Sequence, residues 1–230
     1  MHEASITASA NVAGLQERGQ STLNRQRLDD LASRVIDVTL AIVALAILAP
    51  LMAVIATAIY VLDPGPIIFA HQRIGRGGRS FPCLKFRTMV VDADVRLRHL
   101  LETSPAARAE WEKDHKLRDD PRVIGIGKFL RKTSLDELPQ LINVIRGEMS
   151  LVGPRPIVVG EISRYGRYFH HYCLVRPGIT GLWQVGGRND VSYRRRVAYD
   201  VAYSRARSCA LNVKIIAFTV PMVLLQRGSY

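Results

Sequence analysis

The sequence predicts a mixed α/β domain behind one membrane-embedded apolar segment. Its 230 residues fit one domain or slightly more, and 48% apolar with 23% charged residues is an ordinary globular composition. Residues 38–62 carry no charge, whereas the chain after Pro64 combines β-rich stretches with helical patterns. We therefore expect a disordered lead over residues 1–27, a membrane-embedded helix over 28–63, and a folded domain over 64–230 with a membrane-surface C-terminal segment.

The uncharged run at residues 38–62 is long enough to cross a hydrocarbon core of about 30 Å. Pro50 stands in its middle, where proline removes a helical hydrogen bond and clashes with the preceding turn. A straight span and a hairpin that re-enters the same face both fit this length. Because basic residues flank the run on both sides, we favour a re-entrant helix–break–helix with both ends cytoplasmic. A soluble core helix fits poorly, since the run has no polar face.

Local patterns predict a hairpin and a helical region at the start of the folded domain. Residues 67–69 and 81–86 are β-rich and lie on either side of a glycine cluster at 75–78. Residues 92–117 are charged and rich in helix formers, with leucines recurring on one face. We therefore expect two antiparallel strands followed by helix.

Two later segments have helical patterns of different kinds. Apolar residues at 138, 141, 142 and 145 have the spacing of an amphipathic helix, which is expected to end at Arg146–Gly147. Residues 210–225 are nearly all apolar, too few to span a bilayer and suited to lie on its surface.

Charge and cysteine usage restrict the function classes. The net charge of +12 and pI near 10.1 favour a polyanionic partner such as nucleic acid, an acidic membrane face or a phosphorylated substrate. Cys83, Cys173 and Cys209 lack the spacing of a zinc site and are an odd number for a disulfide scaffold. We interpret them as small buried apolar residues in a reducing compartment.

Asp136 and Glu137 are adjacent acids at the start of the amphipathic helix. One interpretation is structural, because Ser134 and Glu137 have the spacing of a capping box. Pro139 counts against that register, since it would then lie inside the helix. The alternative places Pro139 in the first turn, where the helix end keeps the acids ionised for work as a nucleophile or metal ligand. The residues alone leave both interpretations open.

Basic residues surround this pair in the sequence. Lys85 and Arg87 precede it, Arg155 follows it, and nine arginines against two aspartates lie between Arg164 and Arg207. Arginine forks match phosphate oxygens in two-point geometry. A carboxylate pair among so many basic residues indicates phosphoryl chemistry, in which a divalent ion reduces the repulsion between the carboxylates and the phosphate.

Five motifs together identify a resemblance over residues 30–230. They are KFRTM (85–89), DPRV (120–123), RKTSLDELPQLINVIRGEMSLVGPRP (131–156), RPGITGLWQVGGRND (176–190) and the closing RGSY. With the apolar run, they resemble the bacterial sugar transferases of the monotopic phosphoglycosyl transferase superfamily. The chain looks most like the small, succinoglycan-type galactosyl-phosphate transferases that initiate exopolysaccharide synthesis.

The resemblance implies that a hexose 1-phosphate passes from a UDP-hexose to undecaprenyl phosphate with release of UMP. Asp136 matches the family nucleophile, which forms an aspartyl phosphosugar, and Glu137 matches the partner acid that binds Mg²⁺. The residues that match the motifs for phosphate and nucleotide sugar are Lys85, Arg87, Arg155, Arg176, Arg188 and Asn189. Ile124 departs from the family, whose members usually carry Thr there, so a hydroxyl role at this position is in doubt.

The resemblance also implies a setting for the reaction. The enzyme would lie in the bacterial inner membrane with its catalytic domain and both termini in the cytoplasm. Expected partners are the UDP-hexose, undecaprenyl phosphate, the lipid bilayer and a second copy of the chain in a homodimer, but no nucleic acid. Galactose is the first choice of sugar, followed by glucose and then an N-acetylated hexosamine. The competing function is a membrane-tethered basic binding module without catalysis.

Overall fold

A single long helix leads the chain. The computed structural model describes residues 2–114, 117, 120–186 and 191–224, and from residue 26 onward most of their side chains. Helix α1, His2–Leu62, continues across Pro50, and its segment Gln26–Leu62 is long and apolar enough to cross a membrane. It includes residues 2–27, for which the sequence indicates disorder; the division into lead, anchor and catalytic domain remains a prediction.

Short elements form the rest of the described chain, which is a helix-rich mixed α/β structure as expected. The strands are β1 Ile68–Ile74, β2 Ser80–Phe86, β3 Ser150–Val152 and β4 Gly178–Thr180. The helices after α1 are α2 Ala93–Thr103, α3 Pro105–Asp114, α4 Gly127–Thr133, α5 Gln140–Arg146, α6 Ile162–Tyr165, α7 Phe169–Cys173, α8 Leu182–Gly186, α9 Tyr193–Ala206 and α10 Cys209–Leu224. The helical region expected at 92–117 is divided at Ser104, because the following proline disfavours helical backbone in the residue before it.

The predicted hairpin is confirmed. Strands β1 and β2 pair antiparallel with Phe69 opposite Lys85 and Arg73 opposite Phe81, so Arg73 and Lys85 share one face. Strands β3 and β4 form a separate parallel pair. A Cβ on Gly178 would lie 2.1 Å from the Gly153 nitrogen, so the two backbones can approach this closely only because both residues are glycines.

One stripe of α1 completes the core of the folded domain. Ala41 packs in a buried cluster with Phe81, Cys83, Leu141, Val144 and Met149. Ile55 and Ile59 pack in a second cluster with Phe86, Ile124 and Leu130. The other faces of α1 between residues 26 and 62 are largely exposed, and only 11% of its most apolar window is buried within the fold. One side of the helix therefore packs in the core of the domain, and a long apolar surface on its other sides stays outside the core.

Polar contacts attach α1 to the domain near both ends of the uncharged run. At the first end, Arg34 donates to the carbonyls of Val144 and Ile145, at 2.6 and 2.9 Å. One turn further on, buried Asp37 accepts hydrogen bonds from the Ser150 hydroxyl and the Leu151 amide, at 2.7 and 3.1 Å. Because these groups lie at the C-terminus of α5 and on β3, the residues just before the uncharged run are fixed to the folded domain.

At the other end, Arg87 binds both the carboxylate and the backbone carbonyl of Asp63. The two attachment points, Arg34 and Asp63, are 29 residues apart, about 44 Å along a helix at roughly 1.5 Å per residue. The apolar run is therefore held at both ends by the same folded domain.

Candidate active site

Asp136 and Glu137 lie in a single 3₁₀ turn, Leu135–Glu137, between α4 and α5. Ser134 ends α4 in the left-handed conformation, at φ 57°, and its side chain makes no capping hydrogen bond. The capping-box interpretation is therefore wrong. Pro139 stands immediately before α5, where its missing N–H costs nothing, and α5 ends at Gly147 as predicted.

Lys85 bridges the two acids. Its Nζ lies 2.6 Å from Glu137 Oε1 and 3.6 Å from Asp136 Oδ2. The Asp136 side chain is 11% exposed and that of Glu137 is 30% exposed, so Asp136 is the more enclosed of the pair. The Lys85 ammonium group is therefore within ion-pair distance of both carboxylates.

Burial of Asp136 raises its pKa above the ordinary value, and the charge of Glu137 raises it further. Lys85 is the strongest opposing influence and lowers this pKa, with a smaller contribution from Arg131. In the sequence, the position of Asp136 at a helix end favours its ionised form. In the structure, the effect of desolvation on its pKa outweighs that of the nearby positive charges. Lys85 is thus the group that most favours the ionised form that a nucleophile requires.

Lys85 and Glu137 open onto a small cavity of about 30 Å³, called the dyad cavity below. Its lining includes Arg155, as the sequence predicts, together with Arg73 from β1. Burial lowers the pKa of Arg73, and the nearby charge of Arg155 lowers it further, so the two guanidiniums lie close together. Two arginines and a lysine facing one carboxylate form a cavity suited to phosphate groups.

Two of the predicted substrate residues lie elsewhere. Arg87 is buried against Asp63 and does not line the dyad cavity, because its guanidinium is used to hold the end of α1. Arg176 donates from Nε to the Gly147 carbonyl at 2.9 Å and lines a second cavity near the start of the anchor. Arg188 and Asn189 are outside the described residues, so their assigned roles remain predictions.

Three residues at the site were missed by the sequence reasoning. Arg73, Gln140 and Gln184 line the dyad cavity, and the buried Gln184 amide oxygen has no hydrogen-bond partner among the residues described. The hairpin register places Arg73 on the Lys85 face, so a two-residue alternation could have indicated it. Gln140 and Gln184 come from helices that only the tertiary fold brings together.

Cys83 also lines the dyad cavity. It is buried as expected, and burial raises its pKa to about 11. A thiol with this pKa is almost entirely protonated at neutral pH and is therefore a poor nucleophile. Cys173 and Cys209 are partly buried free thiols.

The dyad has the donor set for a metal shared with substrate. Across the described part of the chain, no three His, Cys, Asp or Glu side chains come together as a metal site. Mg²⁺, however, is commonly held by one or two carboxylates with phosphate oxygens of the substrate completing its coordination. The Glu137 carboxylate and the more enclosed Asp136 fit this pattern, since Lys85 neutralises only one of their two charges.

The sequence model of the family described as "Bacterial sugar transferase" matches residues 28–226. The chain belongs to the bacterial sugar transferase family. The matched region includes the uncharged run, the hairpin with Lys85 and the dyad turn. Four of the five motifs that indicated this family in the sequence lie within this one match, and RGSY at residues 227–230 lies just beyond it.

Named relatives of this sugar transferase include proteins of exopolysaccharide production and lipid-linked sugar transfer. It is 49% identical over 200 residues to the exopolysaccharide production protein ExoY of Sinorhizobium fredii, covering 87% of this chain and 88% of the relative. It is 48% identical over 205 residues to the undecaprenyl-phosphate galactose phosphotransferase of Salmonella typhimurium, covering 89% of this chain and 43% of that protein.

A further relative is named for glucose. The UDP-glucose:undecaprenyl-phosphate glucose-1-phosphate transferase of Caulobacter vibrioides is 40% identical over 210 residues, which are 87% of this chain and 73% of the relative. The sugar transferase thus resembles a galactose enzyme and a glucose enzyme at different levels of identity.

Proposed function

We propose that this protein transfers hexose 1-phosphate from a UDP-hexose to undecaprenyl phosphate and so initiates exopolysaccharide synthesis. The observation that carries the proposal is the enclosed Asp136, 3.6 Å from Lys85 and next to Glu137, because Lys85 and Glu137 line a cavity together with two arginines. The names of the ExoY and galactose phosphotransferase relatives support the substrate class. A basic binding module without catalysis gives no reason to enclose a carboxylate whose pKa is raised by burial.

In the first step, the ionised Asp136 carboxylate attacks the β-phosphorus of the UDP-hexose. The bond from that phosphorus to the oxygen bridging the α-phosphate breaks, and UMP leaves with the electron pair. Arg73 and Arg155, which line the dyad cavity, would hold the diphosphate oxygens, and Lys85 would offset the charge between carboxylate and phosphate. The product of this step is an aspartyl phosphosugar.

In the second step, a phosphate oxygen of undecaprenyl phosphate attacks the same phosphorus. The aspartyl oxygen–phosphorus bond breaks, which restores the Asp136 carboxylate and gives undecaprenyl-diphosphate-hexose. Two in-line displacements at one phosphorus require the donor and the lipid to use the same site in turn. The single enclosed carboxylate is compatible with this sequence of events.

We assign Mg²⁺ to Glu137, which would hold the ion at the cavity. When bound, the ion would supply positive charge that offsets the charge of the donor's phosphate oxygens. Glu137 fits this role because it is the more exposed acid of the pair and lies on the cavity lining. Asp136 then keeps its carboxylate available for attack.

The membrane placement that we propose is monotopic and re-entrant, in the inner membrane, with both termini and the catalytic domain cytoplasmic. The attachments at Arg34 and Asp63 support it, because a domain on one side of a membrane can hold both ends only if both are on that side. Pro50 is the point at which α1 would bend. Tags at residue 5 and at Tyr230 should both be inaccessible from the periplasm, and a periplasmic N-terminal tag would contradict the proposal.

The sugar that we propose is galactose, supported by the higher identity to the galactose-named relative than to the glucose-named one. Membranes containing the protein should be incubated with undecaprenyl phosphate and each radiolabelled UDP-sugar, and the lipid then extracted. Label is expected in lipid from UDP-galactose, and not with the Asp136→Asn variant as matched control. Label from UDP-glucose alone would overturn the choice of sugar, and label from no UDP-sugar would overturn the function.

A further inference from the structure

A second cavity, of about 80 Å³, lies between the polar residues 26–37 of α1 and the junction of α9 with α10. Its lining shares no residue with that of the dyad cavity. Five arginines and three aspartates contribute to it, so its formal charge is positive. The proposed transfer reaction gives no role to this cavity.

Most of the charged groups in the second cavity are already used by the fold. Arg34 caps the end of α5, Asp37 binds β3, and Arg207 forms an ion pair with Asp30 at 3.2 Å. Among the described residues, Arg176 donates only from its Nε, to the Gly147 carbonyl. Arg76 makes no hydrogen bond within the described part of the chain. Relative to these residues, the terminal nitrogens of Arg176 and the whole Arg76 guanidinium are thus without a partner.

These cations are close enough to repel one another. Burial lowers the pKa of Arg176, and the charges of Arg76 and Arg34 are the next causes of that lowering. The lining also includes Ser204, which is 8% exposed and whose buried hydroxyl finds no hydrogen-bond partner among the described residues. A site with surplus guanidinium donors, mutual repulsion and an unpaired hydroxyl nearby is suited to an anion with several oxygens.

We propose that the second cavity binds a phosphate group through Arg76 and Arg176. Its position favours a phosphate carried by a membrane lipid. The part of α1 that lines it, residues 26–37, directly precedes the uncharged run, and Leu31 and Val35 on that segment are 61% and 57% exposed. A headgroup held there would place its acyl chains along the exposed side of α1. A free phosphate would use the same donors.

The test compares lipid and inorganic phosphate on the purified full-length protein. Delipidated protein is mixed with nanodiscs of equal phosphatidylglycerol and phosphatidylcholine, and the retained lipid is counted by native mass spectrometry. Inorganic phosphate is titrated separately by calorimetry. Arg76→Gln and Arg176→Gln remove cavity donors, and Arg79→Gln is the matched control, because it removes the same charge from the same hairpin without lining the cavity.

We expect one phosphatidylglycerol retained per chain by the wild type and by Arg79→Gln. Retention should fall about tenfold in each cavity variant, as for loss of one charge-assisted hydrogen-bond donor. The same pattern with inorganic phosphate alone would also support the site and identify a soluble ligand. Binding of neither ligand, or equal loss in Arg79→Gln, would overturn the proposal.

Two controls keep the outcome clear. Arg176→Gln removes the donor to the Gly147 carbonyl and could therefore fail to fold. In that case the comparison uses Arg76→Gln, because the Arg76 side chain is exposed and does not bind the Gly147 carbonyl. The Asp136→Asn variant should retain lipid as the wild type does. Binding is therefore measured independently of whether the transfer reaction occurs.

Discussion

Strand β2 and the residue after it provide a cation to each of two carboxylate sites, and the charge balance of the two sites differs. Arg87 meets one carboxylate, Asp63, and also its backbone carbonyl. Lys85, two residues earlier, meets Asp136 and Glu137 together. The first site is one cation with one carboxylate and holds the end of α1, whereas in the second a single lysine lies within ion-pair distance of two carboxylates and lines a cavity with Arg73 and Arg155. The comparison shows that an ion pair alone does not mark the candidate active site, because both sites have one.

The largest expected effect is the loss of turnover in Asp136→Asn, because the substitution removes the nucleophile's charge with little change of shape. UMP release should fall by roughly 10³-fold or more. Asp63→Asn, the matched change at the other site, should keep the turnover of its folded fraction. Near-normal UMP release from Asp136→Asn would contradict the covalent mechanism and remove the distinction between the sites.

Removal of divalent ions should stop turnover in the wild type. Excess chelator is expected to abolish UMP release and added Mg²⁺ to restore it, because the phosphate oxygens of the donor would then lack the positive charge of the ion that we assign to Glu137. The thermal unfolding midpoint should stay unchanged, since the Arg87–Asp63 pair needs no metal. Unaltered rates in excess chelator would show that Glu137 has no metal role.

The two substitutions should affect stability in the opposite order to activity, with Asp63→Asn more destabilising than Asp136→Asn. Asp63→Asn leaves the 8% exposed Arg87 side chain without its carboxylate, and should lower the free energy of unfolding by about 3 kcal/mol. Asp136→Asn should cause no loss, because burial already disfavours the ionised form of that side chain. Chemical denaturation of both variants in the same detergent measures the difference, and an equal loss would show that the two carboxylates are equivalent.

The smallest expected effect is a shift of the pH profile. Because burial raises the pKa of Asp136, activity should fall with decreasing pH earlier than for an exposed aspartate. Lys85 lowers this pKa, so Lys85→Gln should move the acid limb of the residual activity to higher pH. A profile of kcat/KM against pH tests the sign, and a limb that moves to lower pH would contradict it.

Local patterns were enough to predict the first hairpin and the end of α5. Alternation and glycines predicted the β1–β2 hairpin, and apolar spacing with Gly147 predicted the end of α5. Asp136, Glu137, Lys85 and Arg155 were all identified from motifs and are close together in the structure. These features depend on residues near one another in the chain or on motifs long enough to be specific.

Two of the predicted substrate residues have hydrogen-bond partners that are distant in sequence. Arg87 and Arg176 lie in motifs with basic neighbours, but the partners that occupy them are Asp63 and the Gly147 carbonyl. A sequence shows that an arginine is charged, but it does not show which carbonyl or carboxylate the guanidinium will bind. The capping box failed for a local reason, because Pro139 shifts the helix start past the acids.

The stripe of α1 that reaches into the core has a consequence for how the protein is made. Without residues 1–63, Phe81, Phe86 and Leu130 would lose the apolar partners that cover them. A truncated domain freed of its anchor should therefore aggregate rather than become a soluble enzyme. Since α1 leaves the ribosome before the residues of the domain, we expect the later segments to complete their core on this helix, so that the placement of α1 and the folding of the domain are coupled.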